Sequence, residues 1–268
     1  MFDSWLDPLF HLPLLTGLIL TILLSLLGVY LRLREEWLAA LGLAQLASAG
    51  ALGGAAMGLP VLAGSALGAS IGAAAKNIRV GWGNETYALM LLFGWSVTLL
   101  LAANAPHGEA QIQAFIDGQL YFIGESHLWT ALVVSAVTGL SLPYWSPRLL
   151  RIRFFPDYFR ANNLPAWHFQ LMFDILCAIV LGVASVSMGL MAAFALVFIP
   201  AWLAFTWARG WWWTVFWAVF FGLVAYLSAF ICALHLDQPF APMLVACLLV
   251  LAGVVWAVQR IVIALTFS

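Results

Sequence analysis

His235 and Asp237, in Ala233-Leu-His-Leu-Asp-Gln-Pro239, set an imidazole and a carboxylate two residues apart. These donor types can hold a divalent cation, so His235 and Asp237 are candidate metal contacts. Two donors give only brief contact, because a tight site needs more ligands in matched geometry, and the same pair would also suit an ordinary solvated loop. Asp174, in Gln170-Leu-Met-Phe-Asp-Ile-Leu-Cys177, is an ionisable group inside an apolar stretch. A charge left in hydrocarbon costs about 2.5–3.5 kcal/mol on insertion scales, so this carboxylate must face protein or an aqueous cavity. Structural pairing near a helix end and a role on a transport path both satisfy that demand. Cys177, Cys232 and Cys247 lie in apolar runs with no CxxC spacing, which suits small buried residues better than disulfides or metal ligands. The chain has no GxGxxG, Walker-type loop, HExxH or nucleophile elbow, so any energy source must come from another chain or from a gradient.

The elements that position these groups are membrane spans. Hydrophobic residues make up 65% of the chain and charged residues 8%, with a mean hydropathy of +1.04. Such a chain cannot solvate its own surface in water. A span needs about 20 apolar residues, since a helix rising 1.5 Å per residue must cross about 30 Å of hydrocarbon with its backbone groups paired internally. Segments near Leu9–Tyr30, Trp37–Leu59, Val61–Ala75, Thr86–Ala105, Leu128–Tyr144, His168–Val186, Leu190–Ala208, Trp211–Leu234 and Pro239–Val258 qualify. The third is short, so the count is eight or nine. The expected fold is an all-α polytopic bundle forming a single domain over residues 1–268.

Arg32, Arg34, Lys76, Arg79, the group from Arg148 to Arg160, Arg209 and Arg260 then fall on one side, while Asp3, Asp7, Glu109, Asp117 and Asp237 fall on the other. Basic residues accumulate on the cytoplasmic side of short loops, which predicts an outside N-terminus and an inside C-terminus. Met1-Phe-Asp-Ser-Trp-Leu-Asp7 has no basic n-region, so the first segment is expected to stay with the protein. Trp211, Trp212 and Trp213, beside Arg209, suit the headgroup zone. Gly64, Gly68 and Gly72 line one face of the third segment, and the second is rich in Gly and Ala, so these helices should approach closely and either pack or line a path. The stretch from His107 to His127 is too short and interrupted to span, and reads as a surface helix or a re-entrant piece. The net charge of −1 offers no basic surface for nucleic acid.

The densest charge in the chain is Arg148, Arg151, Arg153, Asp157 and Arg160, running into the polar stretch that ends at Pro165. It is the largest inside-facing feature available to a partner, though a solvated amphipathic loop would look similar. Phe155-Pro156-Asp157-Tyr-Phe-Arg-Ala-Asn-Asn163-Leu164-Pro165 resembles the cytoplasmic-loop pattern Asp-Pro-Glu-x-Ala-x-x-x-Gly-Val-Pro of the permeases of bacterial zinc/manganese-uptake ABC transporters. Met188-Gly189-Leu190-Met-Ala-Ala-Phe-Ala-Leu196-Val-Phe-Ile-Pro200-Ala201 is similar to that family's Val-Gly-x-Leu-Leu-x-x-x-Leu-Leu-x-x-Pro-Ala. Asp237-Gln-Pro239-Phe-Ala-Pro242 resembles its Asp-x-Pro-x-Gly-Pro, and Asp117-Gly118-Gln119-Leu120-Tyr121 its Phe-Gly-Asp-Ile-Leu. Four motifs in register cover nearly the whole chain.

The resemblance implies a permease in a transmembrane pair, with a second, identical subunit expected. Cytoplasmic ATPase subunits holding ATP and Mg would dock on a coupling loop near 148–167, with Pro156, Asp157, Arg160, Asn163 and Pro165 as its contact residues. An extracytoplasmic solute-binding protein would deliver cargo, membrane lipid would surround the spans, and the chain itself would carry no cofactor. The family's Gly-Asp-Ala-x-x-His falls on Leu38-Ala39-Ala40-Leu41-Gly42-Leu43, so both pore metal ligands are lost. Gln45 and Ser48 offer neutral oxygens nearby, which zinc accepts poorly. Gln119 stands where the outer motif has a carboxylate, and Asn163 where the loop has Gly. The candidate substrate path is thus Gln45, Ser48, Asp174, His235 and Asp237. The expected cargo is a divalent metal or a metal chelate; a small organic solute, or a secondary carrier independent of ATP, are the alternatives.

Overall fold

A computed structural model describes residues 8–78, 84–105, 113, 118, 120–162 and 167–266. Ten helices follow in chain order: α1 (Pro8–Leu33), α2 (Ala39–Ala56), α3 (Val61–Ile78), α4 (Asn84–Ala103), α5 (Glu125–Phe154), α6 (Pro156–Ala161), α7 (Trp167–Met188), α8 (Leu190–Trp207), α9 (Trp211–Leu236) and α10 (Phe240–Thr266). A 3₁₀ turn at Leu120–Phe122 precedes α5. Eight helices are long and apolar enough to cross a membrane, and α3 adds a shorter apolar stretch, Val61–Lys76. The expected all-α membrane bundle is the observed fold, and the uncertain third segment is a helix packed between α2 and α7.

Helix association in lipid gains little from the hydrophobic effect, so it rests on close van der Waals packing and on interhelical polar contacts. The α2–α3 crossing illustrates this. A Cβ built on Gly50 would stand 2.7 Å from the Gly68 Cα, and one on Gly54 would stand 2.9 Å from the Gly64 Cα. Backbones therefore touch where the sequence placed glycine every four residues. Gly50→Val is expected to lower stability by about 1–3 kcal/mol, the cost of overpacking a filled contact. A thermal melt of the purified chain in detergent checks this. Gly53→Ala is the control, because the nearest atom to a Cβ there is the flexible Leu101 Cδ1 at 3.6 Å.

The fifth span differs from expectation at its end. Hydropathy places its end near Tyr144, but α5 continues through Pro143 and Pro147 to Phe154, so Arg148, Arg151 and Arg153 ride on a helical extension and not on a loop. Arg148 helps to hold the extension. Its guanidinium lies over the Tyr144 ring at 3.9 Å, faces the Phe169 ring of α7 at 5.1 Å, and donates to the Tyr144 carbonyl at 3.1 Å. The chain then breaks at Phe155 and forms the short α6.

At the opposite end of the bundle the segment before α5 tucks inward. Tyr121 packs against Phe10 of α1, Phe230 of α9 and Phe240 of α10, and burial raises its phenol to about 12. Gly118 has φ +78° and lies against the Met188 carbonyl at the α7–α8 junction, where a side chain has neither the conformation nor the room. The expected surface or re-entrant helix between His107 and His127 lies largely outside the described residues. Trp212 and Trp213 are exposed at the start of α9, as headgroup-facing indoles should be.

Candidate functional site

Helices alternating in direction bring the end of α1, the start of α2, the end of α3, the start of α4, the end of α5 and the start of α7 to one face. The polar contacts there are dense. The Asp174 carboxylate accepts from the Arg34 guanidinium at 2.6 Å and from the Lys76 ammonium at 3.2 Å. Glu36 takes the same two cations, Lys76 at 2.6 Å and Arg34 at 2.9 Å. Two cations and two carboxylates thus alternate around a closed ring. Side-chain exposure is 1% at Asp174, 8% at Lys76, 12% at Arg34 and 16% at Glu36, so the ring lies within the protein.

Aromatic groups complete its shell. Arg34 faces the Phe173 ring at 5.3 Å and Lys76 the Tyr87 ring at 5.0 Å, and the Tyr87 hydroxyl donates to Glu36 at 3.4 Å. Burial by itself would lower the Arg34 pKa, but Asp174 and Glu36 more than offset it and hold the guanidinium above its ordinary value. A neutral ring of this kind tolerates burial because every charge has two opposite neighbours. Asp174 is therefore paired, which is one of the two roles open to it from sequence. Its partners were not foreseen. In the sequence Arg34 and Lys76 mark only sidedness, and the signal that points to them is the need of Asp174 for a cation at the same end of the bundle.

The turn from α1 to α2 holds three of the pieces. Glu35 N donates to the Arg32 carbonyl and Glu36 N to the Leu31 carbonyl, closing α1 in a Schellman motif whose left-handed position is Glu35, φ +61°. Glycine usually fills that position, and a side chain there costs about 1 kcal/mol or more. Two contacts hold it. Asn84 of α4 donates to the Glu35 carbonyl at 2.9 Å and accepts from the Leu38 amide at 3.3 Å, and the Glu35 carboxylate pairs with Arg153 of α5. An open cavity of about 260 Å³ lies beside this bridge, lined by Arg34, Glu36, Leu149, Ile152, Arg153 and Gln170.

The remaining candidate residues are spread along the bundle and do not converge. Gln45 and Ser48 are buried in α2; the Ser48 hydroxyl donates to the Ala44 carbonyl of its own helix at 3.1 Å, and the Gln45 backbone packs against Gly94 of α4. His235 and Asp237 are exposed at the other end of the molecule. Asp237 closes α9 in the left-handed conformation, φ 52°, with Gln238 N donating to the Ala233 carbonyl. Among the described residues no group of three or more His, Cys, Asp or Glu side chains is placed to hold a metal ion. In the segment expected from sequence to meet a partner, α6 is a short helix; Asp157 is exposed on it, and Pro156 and Arg160 lie within it. Asn163 and Pro165 lie outside the described residues.

Among the described residues, eight helices apolar and long enough to cross a membrane, with one polar, ion-paired end, define a multi-pass membrane bundle. Residues 7–259 match the model of the ABC 3 transport family, and the chain belongs to that family. It is thus a permease of a bacterial inner-membrane ABC transporter, and the family implies ATPase and substrate-binding partners. Among solved structures, a chain of PsaBC from Streptococcus pneumoniae, determined in complex with a Fab, is similar over 96% of this chain and 95% of that one, with 17% identity and a TM-score of 0.83. A transporter assigned to the metal-chelate ABC type, in an inward-facing conformation, is similar over 97% of this chain and 90% of that one, with 14% identity and a TM-score of 0.71. At these identities the likeness establishes the fold. No curated protein matches the chain by sequence.

Proposed function

We propose that this chain is the permease of an importer for a divalent metal of the zinc or manganese type, or for its chelate, driven by ATP that separate subunits hydrolyse. The observation that carries the reading is the family match over residues 7–259. The metal-chelate description of a transporter with the same fold supports the cargo class. The chain itself would hold no nucleotide; ATP and Mg belong to the ATPase subunits. Positive-inside bias makes the end with Arg34, Lys76 and Arg153 cytoplasmic and the N-terminus external.

On this reading α6, with Pro156, Asp157 and Arg160, and the residues Asn163 and Pro165 that follow it in sequence form the handle that the ATPase grips. Phe155 and Tyr158 support it: they are 65% and 51% exposed and, with Arg151, line a depression of about 290 Å³ beside α6. Uncovered aromatics with an arginine are the side chains that anchor protein partners. A second, identical permease and an external binding protein complete the assembly. Tight capture of cargo belongs to the binding protein, and the path of Gln45 and Ser48, with Asp174 at its inner end, makes only transient contact. His235 and Asp237 would touch the cargo at the outer mouth.

The test is uptake by vesicles holding permease and ATPase, with binding protein and radioactive zinc or manganese outside and ATP inside. ATP-dependent accumulation is the expected result. Accumulation that needs only a proton or sodium gradient would overturn the reading in favour of a secondary carrier, and competition solely by organic solutes would overturn the metal assignment. In the same vesicles the His235→Ala and Asp237→Ala double variant is expected to slow uptake severalfold; an unchanged rate would remove both as contacts.

A further inference from the structure

Three consecutive residues at the α1–α2 turn reach three different helices. Arg34 pairs with Asp174 of α7, Glu35 with Arg153 of α5, and Glu36 with Lys76 of α3. Asn84 ties α4 to the same turn through both its amide nitrogen and its oxygen. No comparable convergence of charge occurs elsewhere among the described residues. The three ties differ in kind. Those to α3 and α7 belong to the closed, buried ring, which yields only by exposing charge. The tie to α5 is a single ion pair whose members are 41% and 75% exposed, beside an open cavity of about 260 Å³ that Leu149 and Ile152 of α5 line together with Gln170 of α7. Past the buried Leu149, the last turn of α5 carries the exposed Arg151, Arg153 and Phe154, so this turn is held to the α1–α2 turn by charge and can shift while the core packing stays in place. Tyr158 of α6 stands five positions after Arg153, across the break at Phe155, so a force on α6 has a short covalent path to Arg153. The left-handed Glu35 sits where this force would arrive, and backbone strain of that sort concentrates at switch regions.

We propose that the Arg34-Glu35-Glu36 turn is the transmission joint of the permease: the Arg153–Glu35 bridge conveys displacement of the α5–α6 lever to the turn, and the Arg34–Asp174–Lys76–Glu36 ring distributes it to α3 and α7 as one body. Glu35 and Arg153 are positioning residues here. Neither needs to touch cargo or nucleotide. The joint also explains why charge is kept inside a largely apolar membrane bundle: a hydrophobic replacement could pack equally well, but would not register α1, α3 and α7 to one point on the lever.

The inference rests on the ABC permease reading, so its test begins from a complex whose unaltered form accumulates metal at the expense of ATP; absence of that starting activity would overturn the parent reading and the joint with it. Uptake and ATP hydrolysis are measured together in vesicles for the unaltered permease, Glu35→Gln, and the charge exchange Glu35→Arg with Arg153→Glu. Glu35 is exposed and lies outside α6, so the variant is expected to assemble and to keep hydrolysing ATP, while metal moved per ATP falls at least about fivefold, the lower range of measured site-to-site coupling. The exchange is expected to restore much of that ratio. An unchanged ratio in Glu35→Gln would overturn the proposal, as would parallel loss of hydrolysis and uptake that the exchange does not repair, because a merely structural contact predicts that pattern.

Discussion

Asp174→Ala is expected to destabilise the protein by about 3–5 kcal/mol, the usual consequence of removing one partner from a buried ion network. The substitution leaves Arg34 and Lys76, both largely buried, sharing the single carboxylate of Glu36. Lys76, 8% exposed and facing the Tyr87 ring, recovers little solvation, even though Arg34 borders the open cavity. The sign of the effect therefore comes from the orphaned charge more than from the lost attraction. Asp174→Ala combined with Lys76→Met restores neutrality by leaving one Arg34–Glu36 pair, and is expected to recover most of the loss. Thermal unfolding in detergent, read by loss of monodisperse protein, checks both. Equal melting of Asp174→Ala and the unaltered chain would mean that the ring contributes nothing.

Replacing residues 156–163 by a Gly/Ser linker of equal length is expected to abolish ATP-driven uptake while leaving insertion and monodispersity intact. The reasoning is local. Those residues lie outside every span, between the end of α5 and the start of α7, and Asp157 and Tyr158 are exposed. The described side chains of this stretch are not part of the buried core, so the loss should be of coupling and not of folding. Co-purification of the ATPase with the linker variant is the measurement. Retained ATPase with full stimulation would place the docking surface elsewhere.

The fold was readable from sequence because spans are long and their solvent is uniform: about 20 apolar residues admit no other structure in lipid. The glycine ladder Gly64, Gly68, Gly72 also announced a close contact, since small residues at every fourth position have few other uses. The end of α5 was not readable. Hydropathy falls after Tyr144, and two prolines usually mark a boundary, but an arginine that stacks on Tyr144 and caps its carbonyl carries the helix ten residues further. The candidate site was legible in fragments. Asp174 stood out because a carboxylate inside a span demands a partner, whereas the identity of its partners depends on contacts 140 and 98 residues away in sequence. Local pattern carries no information about which of several basic residues on one face will meet it. Asp237 was visible as a carboxylate beside His235, but its left-handed backbone, which gives it a helix-ending role, is a conformation that sequence signals mainly through glycine. The departure from the family's pore ligands was visible directly, because it is a matter of residue type.

The central claim is that α6 is the surface through which an ATPase drives this bundle. Photo-crosslinking of the assembled transporter from a reactive side chain at position 157, with position 122 at the opposite end of the bundle as control, tests it most directly. The account predicts an adduct between position 157 and the ATPase subunit, strengthened or weakened by nucleotide, and none from position 122. An assembly that transports metal with ATP yet yields no ATPase adduct from position 157 in any nucleotide state would contradict it.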